Sequence, residues 1–206
     1  METKKIVVFD LNKTFYTKSS KDEFYKFIWS KRPKRLMYYF EMAYYILLLK
    51  LHAINQTEFK ENFFNYLDGL TPEQVHKYAT EFWDREFPAG FNNELRKRLD
   101  EWQKKNVDVV CATGGLELYV KPLFAKYGIT TYVGTRAEYV NGTYKLIGEA
   151  CKQEEKICRV DEYYKGQPYE IIEAYSDSKE KILEKAAKAF LIKDGKIIPY
   201  HPKKKD

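Results

Sequence analysis

The sequence predicts an α/β fold: a mostly parallel sheet with helices on both faces and an all-helical insert directly after the first strand. Three observations predict it. Short apolar runs alternate with helical patterns along the chain, the signature of a parallel sheet. The first run, "KKIVVF", stops abruptly at Asp10, as a buried strand does where it emerges at a sheet edge. Only helical patterning separates that run from the next strand-like one, "VDVVCA", Val107 to Ala112.

Taken in order, residues 4–10 form the first strand. "SSKDEFYKFIWSK" opens the insert, with Ser20 as N-cap and Glu23 three residues on. "MYYFEMAYYILLLKLHAI", Met37 to Ile54, is the most apolar stretch. Glu41, Lys50 and His52 interrupt it, so it falls short of the ~18 uncharged residues of a spanning helix. It reads as a core helix of the insert, although its aromatic richness and the preceding "KRPKR" also suit a lipid-facing surface. Thr71, Pro72 and Glu73 start another helix, and "FNNELRKRLDEWQKKN" leads into the second strand. "TGGLELYVKPLFAKYGI" gives a glycine-containing turn and a helix ending near Gly128. Asn141-Gly142 marks a hairpin. A helix around "EEKICRVDEYYK", the strand "YEIIEAYS", a helix over 179–188, the strand "AFLI" and a hairpin at Asp194-Gly195 follow. The final "HPKKKD" reads as a solvated tail.

Composition narrows the function classes. The 206 residues, 44% hydrophobic, suffice for one domain or a core with a small insert. The charge of +6 is spread among 30 acidic residues, so no nucleic-acid face is expected, only a mild preference for anionic ligands. Cys111, Cys151 and Cys158 lack zinc-site spacing and disulfide density, which fits a reducing compartment. No apolar segment follows a basic one at the N-terminus, so a cytoplasmic location is expected. His52, His76 and His201 form no metal or nucleophile pattern.

Polar chemistry recurs at three strand ends: Asp10 after "IVVF", Thr113 after "VVCA" and Asp177 after "IIEAYS". Each alone could be a helix N-cap. In a parallel sheet, however, these ends converge on one edge, where α/β proteins bind ligands. With these residues the chain resembles the haloacid dehalogenase (HAD) superfamily, subfamily IB, the branch typified by phosphoserine phosphatase. That family's Asp-x-Asp-x-Thr motif is matched by Asp10-Leu11-Asn12-Lys13-Thr14, and its strand-end Ser or Thr by Thr113-Gly114-Gly115. Its lysine motif is matched by "CKQEEK", ending at Lys156, and its Asp-Ser motif by Asp177-Ser178. The insert sits where the family carries a helical cap, implying a core over 1–15 and 90–206 and a cap over 16–89.

The resemblance implies Asp10 as the nucleophile that forms an aspartyl-phosphate. Thr113, Gly114 and Lys156 would clamp the phosphate, and Asp10, Asp177 and the Asn12 carbonyl would hold Mg²⁺. Thr14 completes the first motif. The substrate would be a phosphomonoester, and the apolar cap would suit an apolar or lipid moiety on it. The chain departs from the family at three positions. Asn12 replaces the acid/base aspartate, an exchange that removes ~10²–10⁴ of rate. Lys13 replaces a small residue, and Lys181 stands at the second aspartate of the fourth motif. If all five face the site, Asp10, Asp177, Lys13, Lys156 and Lys181 sum to +1, against −3 for the family set, which favours phosphate over a divalent cation. Two readings follow: a slow phosphatase or phosphotransferase, or a catalytically silent phosphate-binding or regulatory protein.

Overall fold

Helices flank the first strand, β1 (Lys4–Phe9), on both sides, which is why its residues are apolar on both faces. Val7 and Phe9 face one core, and Ile6 and Val8 the other. The computed structural model describes residues 2–201; the terminal segment from Pro202 on lies outside the described residues. The further strands are β2 (Asp108–Leu116), β3 (Thr131–Val140), β4 (Thr143–Ile147), β5 (Tyr169–Ser176), β6 (Lys188–Lys193) and β7 (Lys196–Tyr200). They form one sheet in the order β4-β3-β2-β1-β5-β6-β7. The five central strands run parallel, and the two edge strands close antiparallel hairpins. Both hairpins turn at the expected dipeptides, where Asn141 and Gly142 (φ 51° and 88°) and Asp194 and Gly195 (φ 50° and 77°) adopt the left-handed backbone of a two-residue loop.

The insert contains α1 (Ser20–Lys31), α2 (Tyr38–Lys50), α3 (Gln56–Phe63) and α4 (Pro72–Glu86). Helices α5 (Asn93–Lys104), α6 (Glu117–Tyr127), α7 (Glu154–Tyr164) and α8 (Lys181–Glu184) connect the later strands. Helix α4 starts as the sequence predicts, with Thr71 capping and Pro72 at the first position, but Gln74 rather than Glu73 closes the capping box. The main core joins β1 and β2 to the insert through an aromatic cluster that includes Phe15, Phe24, Phe82, Trp83 and Phe91. Insert and sheet therefore share one apolar interior.

Four local expectations need correction. Ser20 is not the N-cap of α1: Ser19 holds that position with no side-chain cap, and the Ser20 N–H donates to Asn12 Oδ1 at 2.7 Å. Gly114 and Gly115 lie within β2 rather than in a turn, at a register shift against β3 between Ala112 and Leu116. The helix expected over 179–188 is the single turn α8. Helix α2 is not a core helix, since only Met42 of its residues is fully buried.

Candidate functional site

The strand register brings the predicted residues together. Phe9 pairs with Cys111 on one side and Tyr175 on the other, so Asp10 and Asp177 follow the C-terminal ends of β1 and β5, whereas Thr113, expected at a strand end, lies within β2 two residues beyond Cys111. The Asp10 N–H donates to Tyr175 O at 2.9 Å, which fixes the loop to β5. Asp10, Asn12, Lys13, Gly114, Lys156 and Asp177 line one cavity of about 290 Å³, walled on one side by residues of the insert. Thr113 and Thr14 are buried and do not line it; Thr14 borders a separate cavity beside Lys13 and Asp177. Thr113 Oγ1 accepts from the Gly115 N–H at 3.0 Å, whereas Thr14 Oγ1 meets no partner among the described residues.

Lys156, in the first turn of α7, is the electrostatic centre. The residue is 1% exposed, and its ammonium donates to Asp10 Oδ1 at 2.7 Å and to Glu180 Oε2 at 2.6 Å. Burial alone would pull Lys156 down, but the two carboxylates outweigh it and hold the ammonium above its ordinary value. Ser176 Oγ donates to Glu180 Oε2 at 3.2 Å, holding that carboxylate in place. Asp177 is raised, first by its own burial and then by the negative charge of Asp10 across the cavity.

Lys181 does not enter the site. It begins α8 and its ammonium reaches toward Glu184 at 3.5 Å, away from the cavity. Glu180, in extended backbone one residue earlier, turns inward instead. The sum that placed Lys181 in the site therefore exchanges a cation for a carboxylate. Lys13 does line the cavity, in a left-handed backbone (φ 56°).

The sequence reading missed Glu180, Lys60 and Lys152. Lys60 comes from α3, is 5% exposed, and donates to Gly114 O and to Thr135 Oγ1, the latter at 3.1 Å. A Cβ on Gly114 would meet Lys60 Nζ at 3.0 Å and Lys152 Cε at 3.6 Å, so glycine lets the Lys60 ammonium lie close against β2. Burial, reinforced by the charge of Lys152, lowers Lys60 to about 7. The signal was present: Lys60 lies on the same α3 face as Phe59 and Phe63, a cation on an apolar stripe. Lys152 sits inside "CKQEEK", and burial also lowers it, with the charge of Lys156 next. Counting Lys21, five lysines and three carboxylates line the cavity. Phe59, Phe63, Phe64 and Tyr119 supply its apolar wall.

Among the described residues, no three His, Cys, Asp or Glu side chains cluster as a ready metal site, and no helix is long and apolar enough to cross a membrane. No curated protein shows significant sequence similarity to the chain. Among solved structures, it is similar to a protein with unknown function from Bordetella pertussis Tohama I, with a TM-score of 0.79, 16% identity, and coverage of 91% of this chain and 89% of that one. It is also similar to a phosphoserine phosphohydrolase-like protein from Francisella tularensis subsp. tularensis SCHU S4, with a TM-score of 0.61, 19% identity, and coverage of 90% and 85%. A phosphoserine phosphatase in the form of a phospho-aspartyl intermediate analogue gives 0.57, 15%, 91% and 86%. At such identities these likenesses speak for the fold: a mostly parallel α/β sheet with helices inserted after β1. The model of the haloacid dehalogenase-like hydrolases matches residues 7–180, running from within β1 to the Glu180 carboxylate, and the chain belongs to that family.

Proposed function

We propose that the protein is a phosphohydrolase in which Asp10 attacks the phosphorus of a phosphomonoester, forming an aspartyl-phosphate that water then cleaves. The observation that carries this reading is the buried Asp10–Lys156 pair, 2.7 Å apart in a cavity rich in lysine. In the first step an Asp10 oxygen bonds to phosphorus as the bond to the leaving oxygen breaks. Lys156 holds Asp10 in place and offers its charge to the phosphoryl oxygens, and the lysines beside Gly114 add to that field. The aromatic wall suits an apolar group on the substrate.

Asp10, Asp177 and the Asn12 carbonyl would hold Mg²⁺. The donor set is all oxygen, and Asp177 is raised partly because Asp10 faces it, which is the mutual repulsion that a bound cation relieves. Bound there, Mg²⁺ supplies positive charge to the reacting phosphoryl group.

Asn12 cannot give the leaving oxygen a proton, and its side-chain oxygen Oδ1, distinct from the backbone carbonyl assigned to Mg²⁺, already accepts from the Ser20 N–H. Solvent must then protonate the leaving group, which slows poor leaving groups more than good ones. The test compares an aryl and an alkyl phosphomonoester, each with and without Mg²⁺. We expect Mg²⁺-dependent turnover of the aryl ester that Asp10→Asn abolishes, and a slow alkyl ester that Asn12→Asp accelerates by ~10²-fold or more. An Asp carboxylate can accept the Ser20 N–H as the amide does, so the variant should fold. Absence of turnover in both proteins, or turnover indifferent to Asp10→Asn, overturns the reading in favour of a phosphate-binding protein.

A further inference from the structure

Helix α2 is apolar all round, yet only one of its faces has a partner. Tyr38, Met42, Tyr45 and Leu49 pack into the main core. Leu36, Met37, Phe40, Tyr44, Leu47 and Leu51 recur at three- and four-residue spacings, so they share the opposite side, continuing through the turns at either end. Phe40 is 75% exposed, Met37 69% and Leu51 66%. A row of large apolar side chains of this length is rare on the surface of a protein that works in free solution.

Charge identifies the occupant. Arg32 and Lys34 flank one end of the row, where Lys31 is already paired with Glu81, and Lys50 the other. Glu41 is the one carboxylate within α2, and it already accepts from Asn65 Nδ2. A second copy laid on this face would bring two sets of cations together with no free carboxylate on it to pair with them. An anionic lipid surface meets both features, taking the aromatic and aliphatic row below its headgroups and the basic ends against its phosphates.

We infer that α2 docks the protein on anionic phospholipid surfaces, lying in the interface plane without crossing it. The docking is independent of the chemistry proposed for Asp10. It would bring a membrane close to the cavity, because α2 packs on α3 and α3 contributes Phe59, Lys60 and Phe63 to the lining.

The experiment is co-sedimentation of the full chain with vesicles of phosphatidylcholine alone and of phosphatidylcholine mixed with phosphatidylglycerol. Three proteins are compared: the unaltered chain, Phe40→Asp with Leu47→Asp, and Lys34→Glu with Lys50→Glu. All four sites are exposed, so the fold should survive, and urea midpoints verify it. The unaltered chain should pellet with the mixed vesicles and release at high salt. The apolar double variant should lose at least about tenfold in partitioning, and the charge variant should lose the preference for anionic lipid. No binding to mixed vesicles, or equal binding by the Phe40→Asp, Leu47→Asp protein, overturns the inference. So does a lipid-free dimer that this double variant dissociates, since a second copy would then own the face.

Discussion

Lys60 offers the sharpest quantitative check on the site. Burial, with Lys152 behind it, lowers its ammonium from 10.5 to about 7. Between those two values the unfolded chain carries a proton on Lys60 that the folded chain has lost, so stability rises with pH across that window. The cost of keeping a buried ammonium is full below about 7 and fades as the pH climbs toward 10.5. At ~1.4 kcal/mol per pH unit, and with half the folded molecules already neutral near the midpoint, the gain from about pH 7 to about pH 9 is ~2 kcal/mol. Lys60→Met removes this contribution while keeping an unbranched chain in the same space. Gly114 O keeps its hydrogen bond from Thr135 Oγ1, so the exchange leaves no orphaned acceptor. The assay is urea unfolding of both proteins across that range. The stability difference, unaltered minus variant, should grow by ~2 kcal/mol between about pH 7 and pH 9 and stay flat below about pH 6. Parallel pH profiles would refute the reasoning, since they would mean the ammonium keeps its ordinary proton affinity despite its burial.

One further change probes the same cavity and a second the packing of β3 against β2. Glu180→Gln removes one of the two carboxylates on Lys156 and leaves Asp10 as its ion partner; orthophosphate, followed by calorimetry, should bind about tenfold more tightly. Unchanged affinity would show that Glu180 does not oppose an anion there. Gly134→Ala would place a Cβ 2.9 Å from both Gly115 O and Glu117 Cγ, and the urea midpoint should report a loss of ~1–3 kcal/mol.

Much of this was legible in the sequence because strand ends and turns are written locally. The ends of β1 and β5 followed from apolar runs that stop at polar residues, and both hairpins from their dipeptides, whereas β2 runs on through Thr113 to Leu116. What failed depended on one-residue placement or on distant packing. Counting four residues from Asp177 selects Lys181, but the backbone stays extended through Glu180 before the single turn of α8, and this aims Glu180 inward. A capping box at Ser20 was reasonable on local grounds, yet Asn12, eight residues earlier, satisfies that N–H because the loop after β1 folds back on α1. Helix α2 was misread for a related reason. Apolar composition says that a helix avoids water, not which of its faces the rest of the chain covers.

The placement of Glu180 changes how the departures at Asn12 and Lys13 should be weighed. With Lys181 inside, the site would have lacked a third carboxylate, and a cation would have had little to hold it. With Glu180 inside, three carboxylates remain, but one of them is spent on Lys156 together with Asp10. The excess of positive charge now comes from Lys60, Lys152 and Lys21, which belong to the walls rather than to the strand ends. Five lysines against three carboxylates leave a surplus that a doubly charged phosphate group would cancel. Under the proposed function such a site would draw the phosphoryl group chiefly by lysine charge, and the lowered Lys60 would make part of that surplus adjustable around physiological pH. On the proposed reading, the amide at Asn12 and the lysines around the phosphate act in opposite directions on the reaction. They trade speed of leaving-group departure for grip on the anion, a balance that favours tight, slow handling of a phosphate ester over rapid turnover.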